Sequence, residues 1–152
     1  MSIKLLLAGC GKMGGAMLAG WLEKGIEPKN VTIVEPNTDT ADDLRLRYGV
    51  STVTTPEDLD FNLVPNVVIF AVKPQMMDDV APAYARFKGS DTVFLSIAAG
   101  KTIAYFENHV GSDAAIVRAM PNTPAAVGRG ITVNFANPQV TSEQISLCGD
   151  LL

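Results

Sequence analysis

The stretch Ile3-Lys4-Leu5-Leu6-Leu7-Ala8-Gly9-Cys10-Gly11-Lys12-Met13-Gly14 decides the fold. Ile3–Ala8 is apolar and short, as a buried strand is, and the following Met13–Lys24 has helical period, with Met13, Met17, Leu18, Trp21 and Leu22 on one face and Gly25 as its stop. Between strand and helix lies G-x-G-x-x-G. In that setting the first glycine permits a tight turn, the second lets the backbone approach a pyrophosphate, and the third lets the helix pack close to the strand. The helix start presents unpaired N–H groups and the positive end of its dipole to the phosphates. Gly9, Gly11, Lys12, Met13 and Gly14 are therefore candidate dinucleotide-binding residues. Cys10 reads as a small residue that fits between glycines; the alternative is a reactive thiol whose pKa the helix N-terminus lowers.

Outward from this turn, strand-like and helix-like segments alternate. Val31–Val34 supplies a second strand, and a helix over 40–48 is opened by Thr38 or Asp39 as cap and closed by Gly49, leading to a weak strand over 50–53. Val67–Val72 is a continuous apolar run, which a strand covered on both faces requires, so it belongs in the middle of a parallel sheet. A helix over Met76–Phe87, a strand over Val93–Ile97, a helix over Ile103–His109 and a strand over Ala115–Arg118 continue the alternation. This is an α/β pattern in one domain, residues 1–152, with a mainly parallel sheet and helices on both faces. Thr141-x-x-Gln144 is a capping box that opens an amphipathic helix carrying Ile145, Leu147, Cys148 and Leu151. The sequence stops at Leu151-Leu152 without a glycine or basic stop signal, so the expectation is that the natural polypeptide continues and that Ile145, Cys148 and Leu152 await a cover.

Composition narrows the function. The chain has 152 residues, formal net charge −4 and 47 % hydrophobic residues, with mean hydropathy +0.21 and a sequence pI near 4.9. A domain of this length buries roughly 68–70 % of its unfolded surface, enough for a core without staples. Without a cluster of Lys and Arg, neither a nucleic acid nor a membrane surface is an expected partner. The apolar runs are far shorter than the roughly 20 residues that span a bilayer. A small-molecule partner is expected. Leu7-Ala8-Gly9-Cys10 resembles a lipoprotein cleavage box, but a secretory signal needs about 7–15 apolar residues before the cut, and Lys4 interrupts the short run here. Cys10 and Cys148 stand far apart and His109 is the only histidine, so neither a disulfide nor a metal cluster is supported and a reducing cytoplasm is the expected location. His109 reads as a dipole partner at a helix C-terminus, Trp21, Met76, Met77 and Phe106 as core or partly buried positions, and Arg118 as half of a structural ion pair.

Glu35 ends the second strand, 21 residues after Gly14. A carboxylate there can accept the hydroxyls of an adenosine ribose, and it repels a 2′-phosphate. The nearest arginines, Arg45 and Arg47, lie in the next helix. Pro36 and Asn37 complete this turn, and the cofactor expected is NAD(P)H, with NADH favoured by Glu35. The alternative is that Pro36 turns Glu35 to solvent.

Three further elements, Ala71-Val72-Lys73-Pro74-Gln75, Ser96-Ile97-Ala98-Ala99-Gly100 and Arg118-Ala119-Met120-Pro121-Asn122-Thr123-Pro124-Ala125, follow the fourth, fifth and sixth strands. Together with the glycine turn, they make the chain resemble pyrroline-5-carboxylate reductase from Ile3 to its last residue. The resemblance implies a Rossmann-type, doubly wound fold and NAD(P)H-dependent reduction of 1-pyrroline-5-carboxylate to L-proline. The residues themselves are compatible with that role. Pro74 pushes Lys73 into extended backbone, so that Ala71, Val72, Lys73 and Pro74 can offer peptide groups to the ribose or adenine edge. Ala98 and Ala99 leave space for a flat nicotinamide ring, and the Asn122 amide can donate to and accept from a carboxamide.

Two departures stand out. Members often carry a small polar residue where Glu35 stands, and Thr54-Thr55-Pro56 lacks the asparagine many use near adenine. The family also continues into a helical domain that makes the homo-oligomer and holds the substrate loop; that domain is absent here, so this chain is expected to bind cofactor and to be inactive alone, with no catalytic residue of its own. Alternatives are another imine or β-hydroxyacid reductase and a non-catalytic NAD(P)-sensing module.

Overall fold

The computed structural model describes residues 3–89, 91–120 and 133–152. The Pro121–Ala125 part of the third element, with candidate residue Asn122, lies outside them. The short apolar runs form strands β1 (Leu5–Ala8), β2 (Val31–Val34), β3 (Ser51–Val53), β4 (Val67–Phe70), β5 (Val93–Ser96), β6 (Ala115–Met120) and β7 (Val133–Ala136). Helices are α1 (Lys12–Glu23), α2 (Thr38–Tyr48), the single turn α3 (Met77–Val80), α4 (Ile103–Val110) and α5 (Ser142–Leu151). The strands join in one sheet in the order β3-β2-β1-β4-β5-β6-β7. Every neighbouring pair is parallel except β6 and β7.

Strand alternation splits the core into two halves. Leu5, Leu7, Ile33, Ile69, Leu95 and Val117 pack with Leu18 and Trp21 of α1, Leu44 of α2, and Cys148 and Leu151 of α5. Leu6, Ala8, Val68, Phe70, Phe94 and Ile116 face the other way, onto Met77, Tyr84, Phe106 and Val110. Helices therefore cover both faces, which is why β1, β4 and β5 are fully buried and, Ser96 apart, wholly apolar. The Phe70 ring lies 5.5 Å from Tyr84, 6.0 Å from Phe94 and 5.5 Å from Phe106, each pair worth about 0.5–1.5 kcal/mol beyond its buried area.

The sheet order reverses between β1 and β4, whose register runs from Leu5↔Val67 to Ala8↔Phe70. In open α/β sheets, ligands bind outside the carboxyl ends of the strands at such a reversal. The glycine turn leaves one of these two strands and the Ala71–Pro74 segment leaves the other.

Several expectations need correction. Met76–Phe87 is not one helix: Pro74–Met76 is 3-10, α3 is one turn, and Ala81–Phe87 is 3-10 again. Pro82 is the reason, since it lacks an N–H and its ring crowds the carbonyl four residues back. Met76, read as core or partly buried, is 49 % exposed, and Met13, on the apolar face expected of α1, is 40 % exposed. The cap of α2 is Asn37, not Thr38 or Asp39. The antiparallel β7 has no forecast in the sequence. Asn137 fastens it, its side chain accepting from Ile116 N at 3.1 Å and donating to Ala114 O at 2.7 Å. The capping box of α5 forms as expected, but the apolar side of that helix is not uncovered: Cys148 and Leu151 are buried, and Trp21 Nε1 donates to Leu151 O at 2.9 Å. Ile145 alone of its cited apolar residues is largely exposed, at 47 %.

Candidate functional site

The site begins with the chain leaving β1. Gly9 has φ +85°, and its N–H donates to Val34 O at 2.9 Å. A Cβ on Gly9 would stand 2.6 Å from Val72 Cγ1, so side chains are barred there by both backbone conformation and space. The β1 and β4 exits therefore abut, and Ala71 N donates to Ala8 O at 3.0 Å. Gly14 is tight for another reason: a Cβ would meet Gly9 O at 3.1 Å and Ala71 Cβ at 3.4 Å, which sets how closely α1 approaches the turn. Gly11 is the opposite case. Nothing lies within 4 Å of where its Cβ would be, so no internal packing calls for glycine at this exposed position.

Gly11 is also the N-cap of α1 and has no side chain to offer the first-turn N–H groups, and no acidic residue stands in that first turn. Lys12 occupies its first position instead, where a cation opposes the helix dipole. Open space at Gly11, unsatisfied N–H groups and a neighbouring ammonium are what a diphosphate needs, so the residues present fit a dinucleotide.

Glu35 leaves β2 beside this turn. It is half-buried, its N–H donates to Val53 O at 2.9 Å, and its Oε2 accepts from Asn37 N at 3.0 Å. Asn37 in turn spends its side-chain oxygen on Thr40 N at 3.0 Å, so it positions both Glu35 and α2. The bond from Asn37 N holds the carboxylate against its own turn, and Glu35 is only partly exposed. Burial, with Glu35 adding to it, pushes the Cys10 thiol up to about 11. That shift argues against the reactive-thiol alternative, because burial disfavours the thiolate.

The β4 and β5 exits complete the edge. Lys73 has extended backbone, φ −61° and ψ 143°, as the following proline requires, and its side chain is exposed. Ala98 is buried with its N–H on Ser96 Oγ at 3.2 Å, whereas Ala99 is exposed. Packing thus accounts for Ala98, and only Ala99 leaves open surface. The structure brings together Gly9–Gly14, Glu35–Asn37 and Ala71–Pro74 around the reversal, with Ala98–Ala99 one strand further on.

Arg118 corrects another expectation. Among the described residues it makes no ion pair; its Nε is buried without a hydrogen-bond partner, Nη2 sits 3.7 Å from Met120 Sδ, and its guanidinium lies 6.0 Å from the Phe135 ring. The β6–β7 register, which sets Phe135 opposite Arg118, explains this and was not visible in sequence. His109 does stand in the last turn of α4, its Nδ1 2.8 Å from Tyr105 O and its Nε2 3.8 Å from Asp78. Tyr105 donates its hydroxyl to Asp78, which holds the Asp78 carboxyl below its usual range, and its own phenol is pushed up to about 12, first by desolvation and then by Asp78. Among the described residues no group of His, Cys, Asp and Glu could hold a metal, and no helix is long and apolar enough to cross a membrane.

Residues 3–100 match the family described as NADP oxidoreductase coenzyme F420-dependent. The chain is 33 % identical over 144 residues to the pyrroline-5-carboxylate reductase of Escherichia coli (strain K12), a match covering 94 % of this chain and 53 % of the relative. It is 37 % identical over 147 residues to that of Synechocystis sp., covering 96 % and 54 %. Among solved structures, a pyrroline-5-carboxylate reductase from Coxiella burnetii superposes with TM-score 0.90 at 28 % identity, over 99 % of this chain and 56 % of that one. The enzyme from Plasmodium falciparum, solved with NADP bound, gives 0.80 at 28 % identity, over 98 % and 53 %. The chain spans about half the length of the curated relatives it matches.

Proposed function

The chain belongs to the family described as NADP oxidoreductase coenzyme F420-dependent, and we propose that it forms the cofactor-binding half of a pyrroline-5-carboxylate reductase. The observation that carries this reading is the glycine turn at the sheet reversal, open at Gly11 and uncapped at α1, in a chain whose relatives of that name match over nearly all of its length.

When bound, a reduced nicotinamide supplies the hydride that turns the cyclic imine 1-pyrroline-5-carboxylate into L-proline. In this reading the chain's own residues bind and orient. The first-turn N–H groups of α1 take the diphosphate, with Lys12 beside it. Glu35, held by Asn37, accepts an adenosine ribose hydroxyl, and its charge disfavours a 2′-phosphate, so NADH binds at least as well as NADPH. Val72–Pro74 lines the ribose edge, and the open surface at Ala99 accepts the nicotinamide face. Hydride transfer requires the imine carbon about 3–3.5 Å from the donor carbon, in a pocket that fixes the ring carboxylate and protonates the nitrogen. We assign that pocket, and the helical domain carrying it, to the half of the relatives that these 152 residues do not cover.

The test is oxidation of NADH or NADPH in the presence of the imine. The 152-residue chain should stay at background, and turnover should appear when the remaining half of a relative is fused to it. Robust turnover by the chain alone, or none in the fusion although it binds cofactor, would contradict this assignment.

A further inference from the structure

Behind Glu35 lies a second feature, which the glycine turn does not use. Val53, whose carbonyl accepts the Glu35 N–H, borders a hollow of about 290 Å³ shared with Thr38, Asp42, Arg45, Thr52 and Asp58. The hollow lies between α2 and β3 and adjoins the Glu35 turn through Val53 and through Thr38, which follows Asn37. Among the described residues Arg45 is the only cation lining it, and Arg45 is occupied: Nη1 pairs with Asp42 Oδ1 at 3.1 Å and Nη2 donates to Thr52 Oγ1 at 2.9 Å. Asp58 adds a second carboxylate, engaged by Thr55 Oγ1 at 3.0 Å.

We propose that Asp42 determines cofactor choice by holding Arg45 against β3, away from the 2′ position, so that the hollow presents carboxylates to a 2′-phosphate and withholds its one guanidinium. This inference rests on the dinucleotide reading above. A phosphate monoester carries about −1.5 to −2 charges at neutral pH, and a released arginine would meet it with paired N–H donors in a geometry suited to phosphate. Asp42 and Arg45 are both more than half exposed, so salt screens the effect, and loss of the pair leaves the fold intact, because such surface pairs contribute little to stability.

The test measures dissociation constants for NADH and for NADPH at low salt in the wild type, Asp42→Ala, Arg45→Ala and the double variant, with circular dichroism to verify the fold. Asp42→Ala should shift the ratio of the two constants toward NADPH by about tenfold, the scale of one hydrogen bond to a charged group. The shift should vanish when Arg45 is also removed, and shrink with added salt. A ratio within twofold of wild type in Asp42→Ala overturns the proposal, and so does a gain that survives in the double variant. Failure of every form, wild type included, to bind either dinucleotide is a different result: it removes the reading of the glycine turn, and this proposal with it.

Discussion

Helices α2, α4 and α5 each begin on a side chain that accepts a backbone N–H: Asn37 from Thr40, Thr102 from Tyr105, Thr141 from Gln144. Helix α1 begins on Gly11, with no side-chain cap and with Lys12 at its dipole's positive end. A side-chain cap contributes about 0.5–2 kcal/mol relative to alanine but only a few tenths relative to glycine, so α1, at the sheet reversal, forgoes little stability by beginning on Gly11; the single turn α3 also begins without a side-chain cap. The difference teaches where the molecule is built for itself and where it is built for a ligand. The same N–H groups that Asn37, Thr102 and Thr141 satisfy elsewhere stay available at α1 for an oxyanion.

The comparison can be broken at the glycines. Gly9→Val is expected to give the largest effect, a loss of about 2–5 kcal/mol of stability in urea unfolding, because it combines backbone strain at φ +85° with a clash against Val72. Stability within 1 kcal/mol of wild type would show that the β1 and β4 exits are not locked together. Gly11→Asp separates the two roles of a helix start. It gives α1 the cap it lacks, so stability without ligand should hold or rise by a few tenths of a kcal/mol, while affinity for NADH should fall about a hundredfold as the carboxylate takes the N–H groups and repels the diphosphate. Smaller in scale, Asn37→Ala and Thr141→Ala should each cost about 1 kcal/mol in unfolding experiments. Asn37→Ala should also weaken NADH binding, since Asn37 sits in the Glu35 turn, whereas Thr141→Ala should leave it unchanged; equal effects on binding would remove the distinction.

The smallest effect lies in the pH profile. The Cys10 thiol is favoured in its protonated form by the fold, so its contribution to stability is full below the ordinary thiol value and is lost as pH rises toward about 11. Burial likewise raises Cys148, to about 12. Stability should therefore decline above about pH 9, less steeply in Cys10→Ala, and Cys10 should resist alkylation at neutral pH. Rapid modification at pH 7 in the folded protein would show that the helix terminus, not burial, governs this thiol.

What was legible in the sequence was local. Val31–Val34 is found with the expected bounds, because an apolar run between polar turns states its own length. The G-x-G-x-x-G turn declared its neighbours. What escaped depended on partners distant in sequence. Val133–Ala136 is four residues with a polar Asn134 inside, and only pairing with β6 makes it a strand. Arg118 found Phe135 rather than a carboxylate because of that same register. The α2 cap was ambiguous among adjacent polar residues, and the extended backbone at Asn37 decided it. Near the site, the residue types were readable but the direction of Glu35 was not, since it follows from one hydrogen bond to Asn37 N.

The central claim is that the start of α1 holds a dinucleotide diphosphate, and the most direct measurement follows its amides by nitrogen-15 NMR during titration with NADH and, separately, NADPH. The account predicts saturable shifts with at least one of them, largest at Lys12, Met13 and Gly14 and extending to Glu35 and Val72, while Thr102 and Tyr105 at the capped start of α4 stay still. A folded protein whose α1 amides do not move at millimolar cofactor, or whose largest shifts fall at α4, would contradict it.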